Sequence, residues 1–436
     1  MKTAVLMAAL GAAAQAQDGL ISAPEPKIPL PAQVLPDRLA DMPSQPPAFA
    51  IPVEPLGFSA PGLLYFGLNN SFVSLDFLDE NRLLFTFRVP GLIRRGTAEA
   101  GDATREASSY DERQIRAVVL ALPAGTVEDE ALWTVHDRAR YLWMLSGGRF
   151  LLRDRDNLLQ GDATLELKPF LHFAGPLLYL EMDPMQQFLV ADSREPAEAA
   201  QYPTDHSKSP RTPAANSDLA VRILRRDSGQ VMLVSRSRST VHLPINADGY
   251  LESLRGSGGN WLLNLNYFNG GSAILGQIDS SCAPLFDFLS EQELLATICT
   301  PLGAGKLVAM GTDGRRLWQA QTSDAAVWPL VVRALDGSRL AREAVAVTHP
   351  VHGNASITQD EIKGQLVEVL DAANGRVVLE TRASPILDAG GNVALSPSGR
   401  RVAVLNAGAI QVFELALPPT LPSSVRLAPA IHPPDL

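Results

Sequence analysis

Only two cysteines occur in the 436 residues, Cys282 and Cys299, and they bracket the stretch APLFDFLSEQELLATI. Two short apolar runs around Ser290-Glu291-Gln292-Glu293 predict a hairpin that sets the two thiols opposite each other. In an oxidising compartment such a pair forms one disulfide; the alternative is two buried free thiols, common in β cores. Histidines offer a second chemistry. His349-Pro350-Val351-His352 can bring two imidazoles together, with Asn354, Asp360 and Glu361 close in sequence. Zinc sites usually add cysteine or a third spaced histidine, so the plainer reading is a solvated loop. Arg94 and Arg95, with Arg149, Arg153 and Arg155 further on, could grip an anionic ligand bidentately. Set beside Asp154 and Asp156, they are also at home on solvated strand faces. His206 lies in a long polar segment and joins His349, His352, Arg94 and Arg95 as candidate binding-loop residues. His136, His172, His242 and His432 stand singly and need no functional explanation. PLGAGKL (301–307) lacks the spacing of a phosphate loop and reads as a turn. No G-x-S-x-G elbow is present. No catalytic residue, metal cage or cofactor is assigned.

Such residues need a scaffold, and the sequence supplies one as a repeated hairpin. VSLDFLDENRLLFTF (73–87), YLWMLSGGRFLLRD (141–154), LYLEMDPMQQFLVAD (178–192) and YLESLRGSGGNWLLNL (250–265) share one shape: apolar run, polar turn, apolar run. LFDFLSEQELLATI (285–298), VVRALDGSRLAREAV (331–345) and VALSPSGRRVAVL (393–405) continue the series at a mean period of about 53 residues. A second hairpin type falls between them: VVLALPAGTVEDEALWTV (118–135), AVRILRRDSGQVMLVS (220–235), LVAMGTDGRRLWQAQ (307–321) and LVEVLDAANGRVVLE (366–380). Asp-Gly, Asn-Gly and Ser-Gly steps supply the positive φ angles that tight hairpins need. Helical periodicity is nearly absent. The expected fold is all-β: a seven-bladed β-propeller of four-stranded antiparallel blades. In blade four no outer strand can be read after SAILGQI.

The last blade also lacks an outer strand, because the tail ALPPTLPSSVRLAPAIHPPDL is too rich in proline to pair. AFAIPVEPLGF (48–58) is expected to fill that position, so that an N-terminal strand closes the ring and removes an open edge. These hairpins resemble those of the WD40/YVTN/quinoprotein-like β-propeller superfamily, and the likeness is to a secreted bacterial member. SPSGRRVAV (396–404) matches its S-P-D-G-[RK]-x-[AV]-x-V turn, DAANGRVV (371–378) its second hairpin, and GTDGRRLWQ (311–319) the Gly-x-x-x-Trp ending of quinoprotein repeats. Trp318 and Trp133 are the blade-end tryptophans.

Hydrophobic residues make up 46% of the chain, enough for a buried core, and the net charge is −10. That acidity disfavours binding to nucleic-acid phosphates. The N-terminus MKTAVLMAALGAAAQAQ has a Lys2 n-region, a short apolar run and an Ala14-Gln15-Ala16 cleavage pattern. It reads as a signal peptide, the alternative being an N-terminal helix. The expected division is a signal peptide at 1–16, a Pro-rich leader at 17–47, the propeller at 48–415 and a Pro-rich tail at 416–436. No transmembrane stretch is expected, and the product should be a secreted or periplasmic monomer after cleavage near Ala16.

Three long irregular segments, 90–114, 194–218 and 346–363, join second to third strands and therefore emerge on one face of the disc. Long loops on a rigid scaffold are where binding usually lives, although tolerated decoration has the same composition. The expected function is a non-catalytic scaffold that binds a protein or small ligand on that face. The alternative is an exported hydrolase or quinoprotein-like enzyme with its site at the central channel mouth; a conserved cluster of acids, histidine or arginine on the inner strands would favour the enzyme, and conserved aromatics on the loop face the binder.

Overall fold

A computed structural model of the chain describes residues 45–62, 70–89, 113–136, 139–194, 219–237, 239–256, 260–299, 305–322, 326–350 and 357–416. The signal-peptide reading (1–16), most of the leader and the tail beyond 416 lie outside these residues. Within them the strands form seven antiparallel sheets, six of four regular strands and one of three. Each of the seven hairpins expected from the repeat is present. No helix among the described residues is long and apolar enough to cross a membrane.

Strand alternation explains why seven separate sheets make one ring. Successive side chains leave a strand on opposite faces, and the second strands of blades one and three carry buried apolar residues on both. In blade one's Arg82–Arg88, Leu83, Phe85 and Phe87 pack with Ala403, Leu405 and Val412 of blade seven. Leu84, between them, packs with Leu142 and Phe150 of blade two. The same division sends Leu189 and Ala191 of blade three toward blade two, and Phe188 and Val190 toward blade four. Seven apolar clusters result, each shared by two successive blades. Removing any blade would therefore expose two of them.

Turns and blade ends add directional contacts. The turns between inner and second strands meet on one face: the Ser398 N–H donates to Glu80 Oε1 at 2.8 Å, and the Ser146 N–H to Gln186 Oε1 at 2.7 Å. At the rim, the Trp318 Nε1–H donates to the Ala372 carbonyl of the next blade at 2.7 Å. Its ring lies on Gly375, whose φ of +68° suits glycine and where a Cβ would stand 2.4 Å from the indole. Trp133 repeats the docking, donating to the Leu165 carbonyl of blade two at 3.3 Å. The two blade-end tryptophans thus clamp blade five to blade six and blade one to blade two.

The ring closes as expected. Phe49–Pro52 pairs antiparallel with Ala409–Glu414, Phe49 opposite Val412 and Ile51 opposite Ile410. Phe58 then packs edge-on against Phe85 and Phe87, each at 5.5 Å between centroids. Cys282 and Cys299 form the disulfide, with Cα atoms 5.5 Å apart at the open end of the hairpin made by Leu285–Ser290 and Glu293–Cys299.

Blade four departs from the sequence reading. Its regular strands are Gly249–Arg255, Asn260–Tyr267 and Ser272–Asp279, so SAILGQI is itself an outer strand. The inner position is held by the extended segment 241–246, VHLPIN, whose Ile245 bridges to Tyr250. The Leu251 N–H donates to the Pro244 carbonyl at 2.8 Å, but proline returns no N–H and the ladder stays irregular. Direction confirms this placement. The Ala247 N–H and the Asn246 amide donate to Glu291, which lies in blade five's turn between inner and second strands. Residues 246–249 are therefore the equivalent turn of blade four, and the segment before them is its inner strand.

Candidate functional site

Three successive inner strands bring ionisable groups together around the ring axis. Blade three's Leu177–Met182 carries Tyr179 and Glu181, two residues apart and so on one face. Blade five's Leu285–Ser290 carries Asp287 between the buried Phe286 and Phe288, on the face opposite those rings. Between the two strands runs 241–246 of blade four, which contributes His242. One ligand atom from each of Glu181, His242 and Asp287 lies within 4.8 Å of the others.

Backbone contacts fix the imidazole. His242 Nε2 lies against the Phe286 carbonyl, which can only accept, so Nε2 carries a proton. Nδ1 faces the other way, 2.7 Å from the Tyr179 hydroxyl and 3.1 Å from Glu181 Oε2. The Tyr179 hydroxyl donates to Glu181 at 3.2 Å. Behind the ring, the Val241 N–H donates to Asp192 Oδ2 at 2.7 Å, and Asp192 is wholly buried with no hydrogen-bond partner for Oδ1. Asp287 accepts no hydrogen bond among the described residues. Solvent reaches 31% of the His242 side chain and 14% of that of Glu181, so the group is open at one side.

The field at this site is set by carboxylates. Burial opposes the charge on His242, but the hydrogen bond and charge of Glu181, the charge of Asp287 and the Phe286 carbonyl outweigh it and push the ring up to about 9. Burial raises Asp287, with Glu181 adding to the effect while His242 and Arg333 oppose it. Burial likewise raises Tyr179, reinforced by Glu181. Asp192 is pushed up to about 6, chiefly by burial. Arg333 donates to the Phe288 carbonyl at 2.6 Å; burial lowers it while the nearby acids hold its charge. Arg140 acts across the axis, its charge lowering Asp76 of blade one, Tyr179 of blade three and Glu343 of blade six against the stronger effect of burial.

Sequence reasoning missed this group. His242 read as a solitary histidine because its neighbours in space are far along the chain: 63 positions to Tyr179 and 44 to Phe286. The one available signal was a histidine two residues before a proline in the gap between two hairpins. Of the candidate loop residues, Arg94, Arg95, His206 and His352 lie outside the described residues. His349 lies on the connection between second and third strands of blade six, 57% exposed, with Nε2 3.4 Å from Glu361. Arg149, Arg153 and Arg155 spread along one strand and the turn after it and do not converge. Arg149 donates to the Ser146 carbonyl at one end of that strand, and the buried Arg153 donates to the Leu178 carbonyl at 2.8 Å toward the other.

No family profile and no curated protein matches this chain. Solved structures are similar to it in fold. Acylaminoacyl peptidase from Pyrococcus horikoshii matches at 12% identity and a TM-score of 0.43, over 76% of this chain and 48% of that one. The C-terminal WD40 domain of Sif2 matches at 10% identity and a TM-score of 0.40, over 80% and 97% of the two chains. A chain of the mitotic checkpoint complex matches at 10% and 0.45, over 91% and 99%. This chain spans about half the length of the peptidase chains it matches. The seven-bladed assignment rests on the sheets themselves.

Proposed function

We propose that this protein is an exported binding propeller that receives a small, positively charged ligand at the axial mouth on the face bearing the long insertions. The observation that carries the reading is the convergence of Glu181, His242 and Asp287 from three successive inner strands. Asp76, Glu181, Asp287 and Glu343 face Arg140, Arg333 and His242, and burial opposes the ionisation of Asp76, Asp287 and Glu343. An entering cation would favour the ionised form of Asp287, which burial and the neighbouring charge of Glu181 oppose. Strand parity places His242 toward the face where second-to-third connections emerge, the face of segments 90–114, 194–218 and 346–363. Export is supported by the Cys282–Cys299 disulfide, which persists in oxidising compartments.

The test is a thermal-shift series in the presence of a chelator, with amines and carboxylates matched in size. Amines should raise the melting temperature by mass action, and the Glu181→Gln, Asp287→Asn double variant should lose the effect. Carboxylates stabilising more than amines, or neither class shifting the protein, would refute the reading. A catalytic alternative at the same mouth has one observation in its favour: perturbed acid and base groups side by side, His242 with Asp287. Chemical conversion of a stabilising amine, followed by mass spectrometry in the same samples, would favour the enzyme.

A further inference from the structure

We infer that Glu181, His242 Nδ1 and Asp287 form a three-donor site for one divalent transition-metal ion of the zinc type. The inference rests on the axial reading above and names a resident of that site. Three observations lead to it. The donor set is one imidazole nitrogen and two carboxylates, a combination that suits zinc and its first-row neighbours better than calcium or magnesium, which prefer oxygen alone. The imidazole is oriented as metal-ligating histidines are: Nε2 is tied to the Phe286 backbone carbonyl, which leaves Nδ1 turned toward the carboxylates. The surroundings hold carboxylate oxygens that accept no hydrogen bond. Asp287 accepts no hydrogen bond among the described residues, and the wholly buried Asp192, which anchors Val241 directly before His242, keeps Oδ1 without a partner.

The geometry is within reach of coordination. Donors of a four-coordinate zinc ion stand about 3.4 Å apart, against a present limit of 4.8 Å. Side-chain rotation of Glu181 and Asp287 closes that difference without moving the strands. Coordination releases the Nδ1 proton to solvent, and the Tyr179 hydroxyl, now 2.7 Å from Nδ1, turns aside as the metal takes that nitrogen's lone pair and then borders the remaining coordination position. Three protein donors with one position open is the arrangement in which zinc binds water or a substrate atom.

The experiment uses the full mature chain, stripped of metal by chelator and dialysed, with zinc chloride as the probe. Calorimetry should find one zinc ion per chain, and elemental analysis after desalting should retain it. His242→Ala and Asp287→Asn should each weaken binding a hundredfold or more while melting in chelator stays close to the parent. His349→Ala, which removes the exposed pairing with Glu361, should leave binding unchanged. The inference is overturned if the parent protein retains no zinc, a result that needs no variant to fold. It is equally overturned if His242→Ala binds as the parent does, or if His349→Ala abolishes binding. A protein that responds to amines in chelator but takes no zinc would sink this inference and leave the binding function standing.

Discussion

Glu343 lies on the second strand of blade six with 1% of its surface exposed, and burial pushes its carboxyl from 4.5 up to about 8. The Gln365 amide donates to it at 3.0 Å, a bond either protonation state can accept. Between those two pH values the folded chain holds a proton that the unfolded chain has released, so stability falls as pH rises through the window. Asp76, raised from 3.8 to about 6 mainly by burial, acts in the same direction lower down. The expected outcome is a protein more stable to urea at pH 5 than at pH 8.5. Glu343→Gln, which keeps the shape and the Gln365 contact, should flatten the upper part of that slope. A slope unchanged in the variant would mean that Glu343 is ionised in the folded chain.

At the scale of elements, the hairpin of blade five carries the most local information. Its two strands fix the positions of Cys282 and Cys299, and the disulfide then ties the segment entering the blade to the end of its second strand. The link spans 17 residues, for which chain-entropy arguments give about 3 kcal/mol through the unfolded state. Replacing both cysteines by alanine should lower the unfolding free energy by that order, measured by denaturant titration with the same m-value. A loss below about 1 kcal/mol would show that the reduced chain is already held there by its neighbours. The hairpin and its cysteines were legible because turn residues, alternation and spacing all lie within a short stretch. Blade four is less legible, because Pro244 strips its inner segment of a regular ladder and the next hairpin then reads as the first of the blade. Only the contacts of Asn246 and Ala247 with Glu291 settle which way that segment runs.

For the whole molecule the decisive feature is closure. The strand Phe49–Pro52 covers the edge of Ala409–Glu414, and Ile51 and Val53 enter the apolar cluster shared by blades seven and one. Among the described residues, deletion through Pro47 removes the side-chain bond from Gln45 to the Glu414 carbonyl, and it should leave the melting temperature nearly unchanged. Deletion through Phe58 exposes that edge, empties part of the cluster and should lower the melting temperature sharply, with aggregation through the open strand. Similar small effects from both truncations would mean that the ring holds without its N-terminal clasp.

The sequence by itself determined the all-β class, the number of blades, the N-terminal closure and the cysteine pairing. All of these follow from alternation, turn residues and short-range spacing, which local sterics and strand pairing impose on the chain. Tertiary structure alone decided the direction of blade four and the meeting of Glu181, His242 and Asp287. Blade direction depends on strand parity, and parity cannot be counted where a proline hides a strand. The site depends on the ring's curvature, which folds inner strands from three blades toward one axis. Residues separated by 63 and 44 positions become neighbours there, and no pattern local to any one of them records it.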